Sequence, residues 1–299
     1  MSRETSDGTG KTYGLERVCR VLEFPRSTIY AQQARETAMV VPLFPLRRGP
    51  KPKMADADLL AAIRTDLASS PFTGEGHRKV WARLRILRDI RVSKTRVRRL
   101  MGENQLLSPH RQPKGIANLH DGTIITDRPN EMWGTDGIRI ETVDDGWVWV
   151  FSAVDHFDAC CVGIHAVKTG NRFAALQPIA QGLKTIFGAT GADAGRGLAL
   201  RMDHGTQYTA DDFLNQIKFW GIAPSFAFVA EPQTNGVAER FNRTLKEQLF
   251  HGRVFMNVEE VRVAVTEFKE RYNGHWRLEK MGFMSPLEVR QEYAIRKAA

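Results

Sequence analysis

Three acidic residues stand where acids are awkward. Asp136 lies in an alternating run, on the same face as Ile138 and Ile140 if that run is a strand. Asp203 directly follows the apolar stretch Leu198 to Met202, at the carboxyl end of an expected strand, where open α/β sheets place their sites. Glu239 falls in a helical stretch whose Val237, Phe241, Leu245 and Leu249 recur every four residues as a buried stripe, leaving Glu239, Arg243, Lys246 and Phe250 on the other side. Buried or half-buried carboxylates are costly unless paired or bound to metal. Two aspartates and a glutamate are hard-oxygen ligands, suited to Mg²⁺ or Mn²⁺ rather than zinc. Two such ions about 3.5–4 Å apart would activate an oxygen nucleophile and stabilise the leaving oxygen of a phosphodiester. Spacing alone leaves convergence open, because a chain with 34 Asp and Glu offers an Asp–Glu pair at any separation.

The elements that must position these acids follow from periodicity. From about residue 124 the pattern turns strand-like: Glu131 to Val143, Trp147 to Val154 and Cys160 to Val167, with Asp144-Asp145-Gly146 as a hairpin turn. Phe173 to Phe187 reads as a helix, Gly188 to Gly197 as a glycine-rich loop, and Leu198 to Met202 as a fourth strand. A helix from Thr209 to Trp220, a strand from Pro224 to Val229, a loop from Ala230 to Thr234 and a long helix to about His251 come next. Asn257 caps a further helix with Glu260 completing the box, ending near Gly274. Three hairpin strands and then alternating helices and strands make a mixed α/β layer.

The amino-terminal part has different work. Residues 1–115 hold 23 basic against 11 acidic side chains, and the remainder 20 against 23, so the net charge of +9 comes from one end. Such asymmetry points to a basic arm gripping a polyanion. Residues 11–36 read as two short helices, with Leu15, Val18, Cys19 and Leu22 as a stripe and Ser27 or Thr28 as a cap. Residues 41–53, with four prolines and four basic residues, read as a stiff linker. Residues 56–107 read as three helices: Leu59, Ile63 and Leu67 in the first, Val80, Leu84 and Leu87 in the second, Val97, Leu100 and Met101 in the third. Ser93 caps the third, and Arg96 and Arg99 are expected in solvent, suited to phosphate or base-edge contacts in a major groove. Trp147 and Trp149 are expected to pack on the sheet, Asp211 and Asp212 to sit in a helix's first turn, and Cys19, Cys160 and Cys161 to be buried small residues. The longest nearly apolar run, Trp147 to Val154, is too short to span a bilayer, and no signal-peptide core opens the chain. A cytoplasmic protein, nucleoid-associated when on DNA and without a membrane partner, is the expectation.

The strings Trp133-Gly134-Thr135-Asp136, Met202-Asp203-His204-Gly205-Thr206-Gln207-Tyr208 and Pro232 to Lys246 (P-Q-T-N-G-V-A-E-R-F-N-R-T-L-K) resemble the three blocks of DDE transposases and retroviral integrases. Thirty-five residues lie between Asp203 and Glu239, the interval of the integrase-like group. Within it the chain most resembles the second-reading-frame product of insertion sequences in the IS-three family, including its upstream helix-turn-helix (F-T-G-E-G-H-R-K-V-W-A-R-L and V-S-K-T-R-V-R-R-L-M) and its tail, with Arg271-Tyr272-Asn273 and Ser285-Pro286-Leu287-Glu288.

That resemblance implies a mixed five-stranded RNase H-like sheet with flanking helices, preceded by small all-helical helix-turn-helix domains. The implied layout is a helix-turn-helix-like segment at 1–40, a linker at 41–54, a DNA-binding domain at 55–115, a catalytic core at 124–252 and a helical extension at 253–299. It further implies a transposase in which Asp136, Asp203 and Glu239 hold two Mg²⁺ or Mn²⁺ ions. Water first cuts at an element end, and the freed 3′-hydroxyl then attacks another phosphodiester. Asn235 and Gly236 resemble the flexible-loop residues before the glutamate, with Asn235 counted among the DNA contacts. Arg243 and Lys246 resemble positions contacting the element end, His204 and Gln207 are auxiliary residues beside Asp203, and Arg78, Lys79, Lys94, Arg96, Arg98 and Arg99 are the implied DNA contacts upstream. The implied partners are double-stranded DNA (terminal inverted repeats and target), further copies of the chain, and a first-reading-frame protein. Two departures stand out: His156-Phe157-Asp158-Ala159-Cys160 replaces the usual Ser-Arg pair after Asp155, and Gly274-His275-Trp276-Arg277 follows Tyr272-Asn273 where the family carries x-x-Arg-Pro-His. The alternatives are a DNA-binding repressor derived from a transposase, with no chemistry, and an RNase H-like nuclease that only hydrolyses.

Overall fold

The computed structural model of the protein describes residues 4–37, 53–108, 124–227 and 235–298. The expected loop from 230 to 234 lies outside the described residues, as does all of the expected 41–54 linker except its last two residues. The chain divides into two compact units, residues 1–53 and 54–299.

In the first unit, α1 spans Leu15–Val21 and α2 spans Arg26–Thr37. Helix α2 starts directly after Pro25, which lacks an N–H to leave unsatisfied, so Ser27 and Thr28 lie inside the helix rather than capping it. Of the expected stripe only Cys19 is buried, while Val21, Leu22, Phe24 and Tyr30 are exposed. Two short helices have too little facing surface to cover four apolar side chains.

In the second unit, α3 (Asp56–Ser69), α4 (His77–Arg88) and α5 (Lys94–Glu103) enclose Leu59, Ile63, Val80, Leu84, Val97, Leu100 and Met101. Ser93 Oγ accepts from Arg96 N at 3.2 Å and so caps α5. Leu87, expected inside, is exposed, because Arg83 takes the inward position one turn earlier. Its guanidinium meets Asp66 at 2.7 Å and also pairs with Glu75, three buried charges joining α3, α4 and the loop between them. This helical group is joined to the remainder by Gln248, whose amide accepts from Thr73 N at 3.0 Å and donates to Thr73 O at 2.9 Å. Phe72 also packs edge-on to Trp276 at 4.8 Å.

The alternating segments become β1 (Met132–Thr142), β2 (Gly146–Asp155) and β3 (Cys161–Val167), an antiparallel meander. After α6 (Arg172–Phe187), β4 (Ala199–Met202) pairs parallel with β1. The turn α7 (Thr206–Thr209) and helix α8 (Asp211–Phe219) lead to β5 (Ala223–Phe226), parallel to β4. The order β3-β2-β1-β4-β5 is the RNase H-like arrangement. Even-numbered β1 residues Ile138 and Ile140 face α9 (Gly236–Leu245) and α10 (Val258–His275), whereas Trp133 faces α6 and α8. Gly163 lets β3 approach α6: a Cβ there would stand 1.9 Å from Pro178 O. Helix α11 (Pro286–Ala298) completes the chain.

The long helix expected to His251 is α-helical only to Leu245, and Lys246–Phe250 form a π-helical turn. The wider turn rotates its own last residues relative to the helix before it. Phe250, expected opposite the core, therefore packs against it and lies 5.6 Å from the Phe255 ring. Asn257 Oδ1 accepts from Glu259 N and Glu260 N, both at 3.1 Å, as its capping role requires.

Candidate active site

The site begins with strand register. Trp133 pairs with Leu200 and Gly134 with Arg201 across the parallel β1–β4 ladder. Continuing that register two residues sets Asp136 beside Asp203, on adjacent strands roughly 4.8 Å apart. Asp203 stands one residue past β4, and its Oδ1 accepts from Gly205 N at 2.9 Å. Gly205 is close to Gln207 as well: a Cβ on it would lie 2.7 Å from Gln207 Nε2 and 2.9 Å from Asp203 Oδ1. His204 stacks on Phe226 at 5.3 Å, turned to the sheet edge.

Helix α9 supplies the third acid from across the sheet face. Asp136, Glu239, Asn242, Arg243 and Lys246 line one open cleft of about 340 Å³, with Ile138 as part of its wall. Asn242 is the residue that sequence reasoning missed. It is buried, its Nδ2 donates to Asp136 Oδ2 at 2.8 Å, and its Oδ1 accepts from Ser152 Oγ at 3.2 Å. The one signal that could have found Asn242 was its place three residues after Glu239, one helical turn along the same face. Asp136 Oδ1 accepts from Gly137 N at 2.7 Å, so each oxygen of that carboxylate already has a donor.

Of the three acids only Asp136 is half-buried. Asp203 and Glu239 are exposed, contrary to the expectation of buried carboxylates, because one lies beyond its strand end and the other on the cleft side of its helix. Burial pushes the Asp136 carboxyl above its ordinary value, and the charge of Asp203 adds to that; the Asn242 and Gly137 donors and the Lys246 charge oppose it. Glu239, though exposed, is also raised, first by the partial desolvation of its carboxyl against the cleft and then by Asp136, with Arg243 pulling it back. Beneath them the Tyr208 phenol is fully buried and held well up by burial and by both aspartates. The three acids therefore share one electrostatic neighbourhood. Among the described residues, no three His, Cys, Asp or Glu side chains are gathered into a shell that could hold a metal ion.

The expected DNA contacts divide. Arg243 and Lys246 are exposed on the cleft. Asn235 is turned inward: it is buried, and its Nδ2 donates to Thr135 O at 3.0 Å. Arg96, expected in solvent, is drawn back to Asp56 at 2.5 Å and Met54 O at 2.6 Å, and Arg99 to Asp56 at 2.6 Å and Glu103 at 2.9 Å. Asp56 opens α3, and its pairing with both arginines ties α5 to that helix. Arg78 pairs with Glu279 at 2.8 Å, and Lys79 lies over the Trp276 ring and near Glu75. Lys94 rests 5.1 Å over Trp81, while Arg98 is exposed with no ion pair among the described residues.

Asp155 belongs elsewhere. It is buried with Asp158, and Arg290 of α11 bridges both, at 2.8 and 2.7 Å. Burial and the neighbouring Asp158 push it up to about 7 despite that arginine. Trp147, expected to pack on the sheet, is exposed at the hairpin end with the Arg139 guanidinium 5.1 Å over its ring, whereas Trp149 stacks on Phe151 as expected. Asp211 and Asp212 do occupy the first turn of α8, and all three cysteines are buried.

Comparison with known proteins matches three domain families along the chain. An integrase core domain family matches residues 126–232, a second integrase core domain family matches residues 220–286, and an HTH-like domain family matches residues 56–114. The transposase for insertion sequence element IS629 of Shigella sonnei is 25% identical over 228 residues, covering 73% of this chain and 74% of that one. The transposase InsD for the IS2 insertion element of Escherichia coli is 26% identical over 257 residues, covering 80% of each. The catalytic core domain of BIV integrase aligns at 22% identity and a TM-score of 0.41 over 57% of this chain and 99% of that one.

Proposed function

We propose that this chain, a homologue of the insertion-sequence transposases with an integrase core behind an HTH-like domain, cuts and joins DNA strands at the ends of a mobile element. What supports this chemistry is the parallel β1–β4 register, which continued past Gly134–Arg201 sets Asp136 beside Asp203, together with the cleft that Asp136 shares with Glu239.

The donor set suits a hard divalent cation. It consists of carboxylate oxygens, desolvation by burial and then the charge of a neighbouring acid raise the pKa of Asp136 and Glu239, and no cation of the protein is hydrogen-bonded to any of the three among the described residues. Asp136, Asp203 and Glu239 would hold two Mg²⁺ or Mn²⁺ ions, which supply the charge that activates an attacking oxygen and stabilises a leaving one. The chain's own groups do the remainder. Asn242 fixes the Asp136 carboxylate, and Gly205 N fixes Asp203. Arg243 and Lys246 present cations along the cleft, where a DNA phosphate backbone can lie. Gln207, across Gly205 from Asp203, is placed to orient a phosphate or a water.

In the first step a water oxygen attacks the phosphorus at the element end and releases a 3′-hydroxyl and a 5′-phosphate. In the second, that 3′-hydroxyl oxygen attacks another phosphodiester, joins to its phosphorus and displaces the 3′-oxygen of the cut strand. Each step exchanges one P–O bond for another, so no nucleotide cofactor is consumed. The basic helix α5, with Lys94 and Arg98 outward, presents the surface that holds double-stranded DNA. Two element ends and a target must be handled together, which calls for more than one copy of the chain, and a first-reading-frame protein is the further partner proposed.

The test is a strand-transfer assay with oligonucleotides bearing the element's terminal repeats, run with Mg²⁺ and with EDTA. Joined product that requires Mg²⁺ and disappears in Asp203→Asn, with DNA binding retained, is the expected result. Cleavage without joining would leave only the nuclease, and binding without either would leave only the repressor.

A further inference from the structure

His156 directly follows β2 and is anchored over β1, its backbone N–H donating to Met132 O at 2.9 Å. Its imidazole is buried, and Nε2 has no hydrogen-bond partner among the described residues. The same is true of Asn235 Oδ1, at the residue that precedes α9. Both atoms converge on one point beside Gly134. A Cβ on Gly134 would stand 3.0 Å from His156 Nε2, 2.8 Å from Asn235 Oδ1 and 3.4 Å from Ala238 Cβ.

Buried polar atoms without partners are rare, and two of complementary kind facing one point call for a single explanation. The amide oxygen can only accept. A neutral imidazole carries its hydrogen on one ring nitrogen and can donate from Nε2. Burial, reinforced by the charges of Arg201 and Lys280, lowers His156 to about 4, which keeps the ring neutral. The absence of a side chain at Gly134 is what lets these two polar atoms converge, since a Cβ there would be too close to both.

We infer that His156 Nε2–H and Asn235 Oδ1 close a buried hydrogen-bonded link, directly or through one water, that fixes the start of α9 and so sets Glu239 against Asp136. The link works with a second one already visible, Asn235 Nδ2 to Thr135 O at 3.0 Å, so that the Asn235 amide is held from both ends. Asn235 is thereby a hinge pin between β1, which carries Asp136, and the first turn of α9, which carries Glu239. His156 is a positioning residue, acting through Asn235. The inference rests on Glu239 being a catalytic carboxylate, as in the proposed function.

Its test combines a spectroscopic signature with kinetics on the full chain. With ¹⁵N-labelled histidine, and His156 assigned by the signal lost in His156→Gln, the ring should be the Nε2–H tautomer with a slowly exchanging proton. His156→Leu should lower the strand-transfer rate about tenfold, an effect on the scale of one unsatisfied buried group. DNA-end affinity should be unchanged, and the amides of the first α9 turn should exchange faster. His156→Gln, whose amide can donate toward the same point, should restore most of the rate. Gly134→Ala would press a methyl group against both atoms, force them apart, and should reproduce His156→Leu with both partners retained. An Nδ1–H tautomer at His156 would overturn the link, as would α9 exchange and rate both unchanged in His156→Leu. If His156→Leu unfolds at the assay temperature, the wild-type tautomer and Gly134→Ala decide. A wild-type chain that joins no DNA would defeat the proposed function while the tautomer and exchange data still report on the link.

Discussion

Asn242 Nδ2 donates to Asp136 Oδ2 at 2.8 Å, so the helix that brings Glu239 to the cleft also holds the carboxylate on the opposite wall. Asn242 is itself held by Ser152 Oγ from β2. One helix turn therefore sets two of the three acids, one by carrying it and one by gripping it. Asn242→Leu keeps the volume and removes the grip. Strand transfer is expected to fall by about 10–100-fold, the usual cost of losing a residue that orients a metal-binding carboxylate. The Mg²⁺ concentration for half-maximal rate should rise, while DNA affinity should not change. An unaltered Mg²⁺ requirement in a Mg²⁺ titration of this variant would disprove the role.

The raised Asp136 and Glu239 carboxyls give the pH dependence its sign. Both hold protons at a pH where the unfolded chain has lost them, above their ordinary values of 3.8 and 4.5. Folded-state proton uptake in that window means that stability falls as pH rises through it. Cation binding needs the ionised oxygens and competes with the same protons. Two outcomes are expected. In EDTA the wild type should lose melting temperature relative to Asp136→Asn as pH rises from about 4 through the raised value. With Mg²⁺, the concentration for half-maximal strand transfer should climb as pH falls through that window. A Mg²⁺ requirement flat across pH would contradict the coupling.

The strands and most helix cores were legible because each depends on local pattern. Asp136 sits on the Ile138 face by simple alternation, and Leu59, Ile63, Val80 and Leu84 follow helical spacing. The features that stayed hidden depend on partners distant in the chain. Asn242 meets Asp136 across 106 residues, and Arg96 meets Asp56 across 40, so a helix-face reading could only leave the arginine in solvent. Phe250 was misplaced for a different reason: a π-helical turn breaks the 3.6-residue period on which the stripe was counted. Asn235 carried a motif position, yet its burial depends on Thr135 lying opposite, which only the β1–α9 packing reveals.

Two of the three arginines of α5, Arg96 and Arg98, separate binding from stability. Arg98 is exposed without an ion pair among the described residues, whereas Arg96 is held by Asp56 and Met54 O. Arg98→Ala should weaken DNA binding and reduce the slope of log affinity against log salt by about one, as loss of one phosphate contact does. Arg96→Ala should leave that slope unchanged and instead lower stability by about 1 kcal/mol through the lost tie between α5 and α3. Salt-dependent binding and urea melts on both variants separate the cases. Equal salt slopes for the two would remove the distinction drawn from Asp56.

Arg83 offers the sharpest stability test, because three charges are buried together. Its guanidinium meets Asp66 and Glu75, and all three side chains are almost entirely covered. Burial alone would lower the arginine's pKa, yet the two carboxylates more than reverse that and hold it above its ordinary value. The group is satisfied only as a set. Removing the cation strips buried Asp66 of its ion partner and leaves Glu75 only Ser70 Oγ and Lys79, a defect that typically costs about 3–5 kcal/mol. Arg83→Met keeps the stem's packing, so its effect isolates the charge. It should unfold the α3–α5 group at lower urea and abolish DNA binding, while Asp66→Leu in the same chain should recover part of the loss by removing one stranded charge. A melting curve for Arg83→Met that overlays the wild type would show that the buried triad contributes nothing to holding these helices together.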